Sequence, residues 1–124
     1  MSMQLETMGK DSNIIHSCAP GEVRIKTKTY TRSLVVAANI LREDWPLSDI
    51  AALEQVHLES ILEHEPELIL LGTGNRLIFP NPENLRLLIE SGIGYEIMDT
   101  AAACRTYNVL AAEGRHVVAG LIIR

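Results

Sequence analysis

A chain of 124 residues with a formal net charge of −5 fits one domain, residues 1–124, and leaves no room for a second. Its 47% apolar and 22% charged residues exclude wholesale disorder, and the length is enough to bury a core without disulfide or metal staples. Only 4% of residues are aromatic, so that core must be built from Leu, Ile, Val and Ala.

At the start, Met1–Met8 lacks a basic segment followed by an apolar run and does not read as a secretory signal. Ile14-Ile15, Val23–Lys26 and Leu34–Val36 are short β-type runs separated by turn residues such as Pro20-Gly21, which predicts an antiparallel hairpin layer or meander. Within it Arg24, Lys26, Lys28 and Arg32 alternate like one face of a strand, and a solvated face that discourages edge pairing accounts for them. The remaining Lys and Arg are scattered. Nucleic acid is therefore not expected as a partner, because displacing counterions from phosphates needs a concentrated positive surface. Trp45, the only Trp, closes this part and is expected to anchor packing with its large apolar area.

From Ser48 the pattern switches to helices alternating with strands. Ser48 or Asp49 is placed to cap a helix that runs through Leu62 and ends before Pro66, with Leu53, Val56, His57 and Ile61 at three- and four-residue steps. Leu68–Leu71 is a continuous apolar run, as expected of a strand covered on both faces. Gly72-Thr73-Gly74 then turns the chain. Pro82 opens a second helix through Ile89, stopped by Gly92 and Gly94. Tyr95–Met98 reads as a strand, Ala101–Ala112 as a third helix capped by Asp99 or Thr100, and Val117–Ile123 as a last strand. No apolar run approaches the ~20 residues that cross a bilayer, so the chain is expected not to span a membrane and reads as cytoplasmic. The β-α-β-α-β run implies parallel strands joined by right-handed crossovers. The expected fold is α/β: a mixed sheet with helices packed on it, plus an antiparallel layer from the N-terminal part.

Two segments could carry chemistry. Gly72-Thr73-Gly74-Asn75-Arg76 follows a strand, where glycines let backbone N–H groups approach a phosphate and Arg76 could add a bidentate contact. No third glycine completes a dinucleotide fingerprint and no Gly-Lys-Ser/Thr follows, so a tight turn needing glycine dihedrals is the favoured explanation of the segment. The second segment is Asp99–Asn108. Asp99 lies at the carboxyl end of a strand, yet a helix cap accounts for it fully. Cys104 lies about one turn into the helix, where the dipole would lower its pKa modestly. It also shares a stripe with Tyr107 and Ala111, which favours a small buried core residue over a nucleophile. None of His16, His57, His64 or His116 is placed by sequence to serve it as a base. Cys18 and Cys104 have no CxxC or zinc spacing; one disulfide between them is compatible with the sequence and required by nothing in it. No metal-ligand set, serine elbow or cofactor motif is found, so no catalytic residue, metal or cofactor is assigned.

Three stretches together resemble one family: Leu70–Gly74, Gly94–Leu110 with its Met98-Asp99-Thr100 and Cys104-Arg105-Thr106-Tyr107-Asn108 strings, and Glu113-Gly114-Arg115 before the apolar C-terminal strand. They are similar to the small family of uncharacterised domains that includes the mitochondrial NADH dehydrogenase (respiratory complex I) alpha-subcomplex assembly factor three and an adipogenesis-associated domain protein. The likeness covers nearly the whole chain and is strongest from residue 68 onward. It implies a three-layer β/β/α fold and an interaction role with a protein partner, one belonging to a membrane complex, and it brings no catalytic residues. Without a mitochondrial presequence the chain looks like a free-standing prokaryotic relative. The positions carried over as a shared ligand or partner surface are Gly72, Thr73, Gly74, Arg76, Asp99, Thr100, Cys104 and Asn108. A small-ligand or anion binder using these residues is the alternative, and the oligomeric state is not readable.

Overall fold

In the computed structural model, which describes residues 12–124, the N-terminal runs form a three-stranded antiparallel sheet of β1 (Ile15–Ala19), β2 (Glu22–Ile25) and β3 (Lys28–Tyr30). The expectation for Met1–Met8 lies outside the described residues. A bulge interrupts β1, where Ile15 lies opposite Ile25 but Ser17 lies opposite Arg24. The extra residue changes the parity of the strand, so Ile15 and Cys18 both turn toward the core while His16 and Ser17 face solvent. The basic cluster is not one strand face. Arg24 sits on β2, Lys26 in the turn with φ of 56°, and Lys28 on β3, where it pairs with Glu43.

A hairpin of β4 (Leu34–Ala37) and β5 (Ile40–Arg42) begins a second sheet, so the Leu34–Val36 run, expected in the N-terminal layer, lies instead inside the main sheet, where both its faces are covered. A 3-10 turn (Ile50–Ala52) and α1 (Gln55–Leu62) follow, then β6 (Leu68–Gly72), a second 3-10 turn (Pro82–Leu85) and α2 (Arg86–Ser91). The chain ends with β7 (Gly94–Met98), α3 (Thr100–Ala112) and β8 (Val117–Leu121). The strand order is β5-β4-β8-β6-β7, with β6 parallel to both neighbours and β4 antiparallel to β8. The step from β6 to β7 and the step from β7 to β8 run in opposite directions across the sheet. Two crossovers of the same hand must then place their helices on opposite faces, and α2 and α3 lie on opposite faces.

The apolar runs of β4, β6 and β8 need no polar alternation because both faces are covered. Leu34, Val36, Leu70, Ala119 and Leu121 face α3 and the small sheet. Val35, Ile69, Leu71 and Val118 face α1, α2 and Trp45. The three-layer β/β/α arrangement is thus observed, with α3 sharing the layer of the small sheet. Trp45 anchors the helical side as expected: it is 4% exposed and its indole N–H donates to the His57 carbonyl at 3.1 Å.

Three boundaries differ from expectation. The helix expected from Ser48 to Leu62 breaks at Leu53 and Glu54, both extended, and Asp49 caps only the 3-10 turn by accepting from Ala51 N–H. The break resets the helical phase. Ile50 and Leu53 reach the core from the turn, His57, Leu58 and Ile61 reach it from α1, and Val56 is left 56% exposed. The second helix likewise begins as a 3-10 turn before Arg86. The last strand stops at Leu121. Beyond it Ile122 N–H still donates to the Gly72 carbonyl at the end of β6, and Ile123 N–H donates to Ser33 Oγ, so a side chain replaces the ladder only at Ile123.

Candidate functional site

The carboxyl ends of β6 and β7 are adjacent, and their outgoing chains leave toward opposite faces of the sheet. Such a switch point is where open α/β sheets place ligands. Here it is stitched shut. Gly74, with φ of 102°, turns the chain so that its N–H donates to Thr100 Oγ1 at 2.8 Å. The Thr100 hydroxyl donates onward to the Ile122 carbonyl at 2.7 Å, and Thr100 N–H donates back to the Gly74 carbonyl at 2.9 Å. Thr73 N–H donates to the Met98 carbonyl at 2.9 Å. Gly72 is dictated by proximity: a Cβ there would lie 3.0 Å from the Thr100 Cα.

These contacts decide most of the sequence-based candidates. Gly72, Thr73, Gly74, Asp99 and Thr100 do converge, but they converge on one another. The Thr73 and Gly74 N–H groups that a phosphate would need already have acceptors. Asp99 caps α3 by accepting from Ala102 N–H at 2.8 Å. Arg76 is exposed and shares with Thr73 and Gly74 a recess of about 230 Å³ that Ser48, Asp49 and Ile78 also line, but neither Asp99 nor Thr100 lines it. Asn108 spends both ends of its amide on the backbone of Ile15, accepting from its N–H at 3.0 Å and donating to its carbonyl at 2.7 Å.

Cys104 is sealed at 3% exposure. Burial pushes its thiol well above the ordinary range, with the neighbouring Cys18 adding to the effect, so desolvation overrides the helix dipole that was expected to lower it. Burial raises the Tyr107 phenol in the same way; its hydroxyl donates to the Asn13 carbonyl at 2.7 Å. The stripe of Ala103, Cys104, Tyr107 and Ala111 is core, as its spacing suggests. Both cysteines are free thiols.

Beside the stitched turn a cavity of about 160 Å³ opens between the β1–β2 turn and the start of α3, lined by Cys18, Pro20, Asn75, Asp99, Thr100 and Arg124, among others. That volume is well below the ~300 Å³ at which small-molecule pockets usually begin. Its far wall was missed by sequence reasoning. Pro20-Gly21 is legible as a turn, but nothing local says that it rests against residues eighty positions later. Among the described residues, no group of three His, Cys, Asp or Glu side chains is placed to hold a metal ion. Nor is any helix long and apolar enough to cross a membrane.

Among the described residues, the most exposed apolar stretch lies just past the turn. Leu77, Ile78 and Phe79 are 50%, 44% and 70% exposed. Thr73 steadies their base, its hydroxyl donating to the Arg76 carbonyl and accepting from Ile78 N–H at 3.2 Å.

The chain resembles known proteins along most of its length. It is 34% identical over 89 residues to the 13 kDa major membrane protein of Francisella tularensis subsp. holarctica, covering 71% of this chain and 72% of that protein. It is 37% identical over 70 residues to the NADH dehydrogenase [ubiquinone] 1 alpha subcomplex assembly factor 3 of Xenopus tropicalis, covering 56% of this chain and 38% of that protein. The match therefore spans well under half of the assembly factor. The solution structure of a Xanthomonas campestris protein superposes with a TM-score of 0.83 at 33% identity, over 99% of this chain and 92% of that one. Residues 15–122 match the family model described as Protein of unknown function (DUF498/DUF598), and the chain belongs to that family.

Proposed function

We propose that the chain is a non-enzymatic interaction factor that assists the assembly of a membrane-bound protein complex, docking through Leu77, Ile78 and Phe79. The observation that carries this reading is the contiguous exposure of those three large apolar side chains on a loop whose base is hydrogen-bonded in place. An apolar surface of this kind marks a contact site on a folded protein. It lies after β6 and not on the N-terminal layer or a sheet edge. Two further points support the reading: relatives include assembly factors of a respiratory enzyme, and the polar groups around Gly72–Thr100 are consumed by the fold.

The test is affinity capture of the tagged protein from detergent-treated cells of its own source, read by quantitative mass spectrometry. Wild type is expected to retain a stoichiometric partner from a membrane complex or its assembly machinery. Phe79→Ser should weaken that complex by about 2 kcal/mol or more, roughly thirtyfold. Val109→Ser, at a 56% exposed position on α3, should leave it unchanged. A clean blank, or a partner held equally by all three proteins, overturns the proposal.

A further inference from the structure

Cys18 on β1 and Cys104 on α3 play no part in that interaction role, and two separate features of the fold bring them together. The β1 bulge turns Cys18 toward the core, three residues after the inward-facing Ile15. Asn108 grips the Ile15 backbone with both ends of its amide, which sets how α3 lies along β1. Cys104 is one helical turn before Asn108 on the same face of α3. The two side chains consequently pack into one apolar cluster, Cys104 within it and Cys18 against it, and Cys18 is near enough to help raise the Cys104 thiol. Cys18 is half-buried and lines the cavity at the start of α3, whereas Cys104 lies behind it in the core.

We propose that Cys18 and Cys104 form a reversible disulfide site whose oxidant is a small-molecule disulfide, glutathione disulfide being the probe, with Cys18 as the entry residue. Cys18 loses its proton to solvent and its sulfur attacks one sulfur of the glutathione disulfide. The S–S bond of the oxidant breaks, and its electron pair leaves with one glutathione thiolate, which takes up a proton. Cys104 then gives up its proton and its sulfur attacks Cys18 Sγ, forming the protein disulfide and releasing the second glutathione. Two protein thiols are oxidised by two electrons, and one glutathione disulfide is reduced to two thiols. The second step is the slow one, because burial disfavours the Cys104 thiolate. The new bond would tie the β1–β2 turn, the rim of the cavity, to α3.

The experiment incubates the full chain in buffers of graded glutathione to glutathione disulfide ratio, quenches with acid, alkylates, and reads intact mass and peptide maps. Wild type is expected to lose the mass of two hydrogens, to yield a Cys18–Cys104 cross-linked peptide, and to recover on adding dithiothreitol. The oxidised form should melt several degrees above the reduced form, since the cross-link constrains the unfolded chain. Cys104→Ala should stop at a glutathione adduct on Cys18, and Cys18→Ser should not react. The wild-type arm decides the matter even if a variant fails to fold. Thiols that stay reduced at every ratio, a reaction that halts at the adduct, or an oxidised form that melts lower would each overturn the proposal.

Discussion

The Thr100 hydroxyl is one atom group serving three segments, since it accepts from Gly74 and donates to Ile122 while its helix begins at the same residue. Thr100→Val keeps the shape but strands a buried N–H and a buried carbonyl, and should cost about 2–4 kcal/mol in urea unfolding. Thr100→Ser retains both bonds and should cost much less. Cys104 makes a different prediction. Folding raises its thiol pKa, so its stabilising contribution is fully present below the ordinary thiol value of about 8.5. Above that value the unfolded chain releases a proton that the folded protein keeps, and stability falls as pH rises. Urea midpoints followed from neutral to alkaline pH should show this decline, and Cys104→Ala should reduce it. Both residue types were visible as candidates in the sequence. What the sequence could not reveal is that their polar atoms point into the protein, because Ile122 and Cys18 become neighbours only on folding.

At the scale of elements, α3 does more than cover the sheet. Through Asn108 it holds β1, and through Tyr107 it holds the Asn13 backbone. The Asn13 amide in turn donates to the Ala37 and Ile40 carbonyls, which ties the small sheet to the β4–β5 hairpin. Asn108→Ala should therefore loosen the small sheet selectively, with amide hydrogen exchange in β1 and β2 rising before exchange in β6 and β8. Asn108→Asp is expected to be no better, because a carboxylate would face the Ile15 carbonyl. Strands β1, β2, β4, β6, β7 and β8 and the third helix were legible from their apolar patterns, whereas β3 and β5, three residues each, were not. The break between the 3-10 turn at Ile50–Ala52 and α1 was not, since Ile50, Leu53 and Ile61 fit one continuous helical stripe. Burying Trp45 beside His57 and Ile61 favours the broken path, in which Leu58 replaces Val56 in the core.

For the whole molecule, one sheet separates two apolar clusters. Trp45 reports on the helical side and Cys104 on the side of α3 and the small sheet. If the chain is one cooperative domain, Trp45 fluorescence and Cys104 alkylation should give the same urea midpoint. Separated midpoints would mean that the small sheet and α3 open on their own. The exposed Leu77–Phe79 loop lies outside both clusters, so Phe79→Ser should leave that midpoint nearly unchanged while it weakens capture of a partner.

The sequence by itself determined the class of fold and the order of its longer elements, because apolar runs and helix stops are local signals. It also determined the family, through strings around Asp99 and Asn108 that turn out to be joints of the fold. Only the tertiary structure decided which candidates were free to act. A glycine turn after a strand looks the same in sequence whether its N–H groups await a ligand or donate to Thr100 and Met98, and two cysteines with no motif spacing look unrelated until a bulge and one asparagine seat them in one apolar cluster.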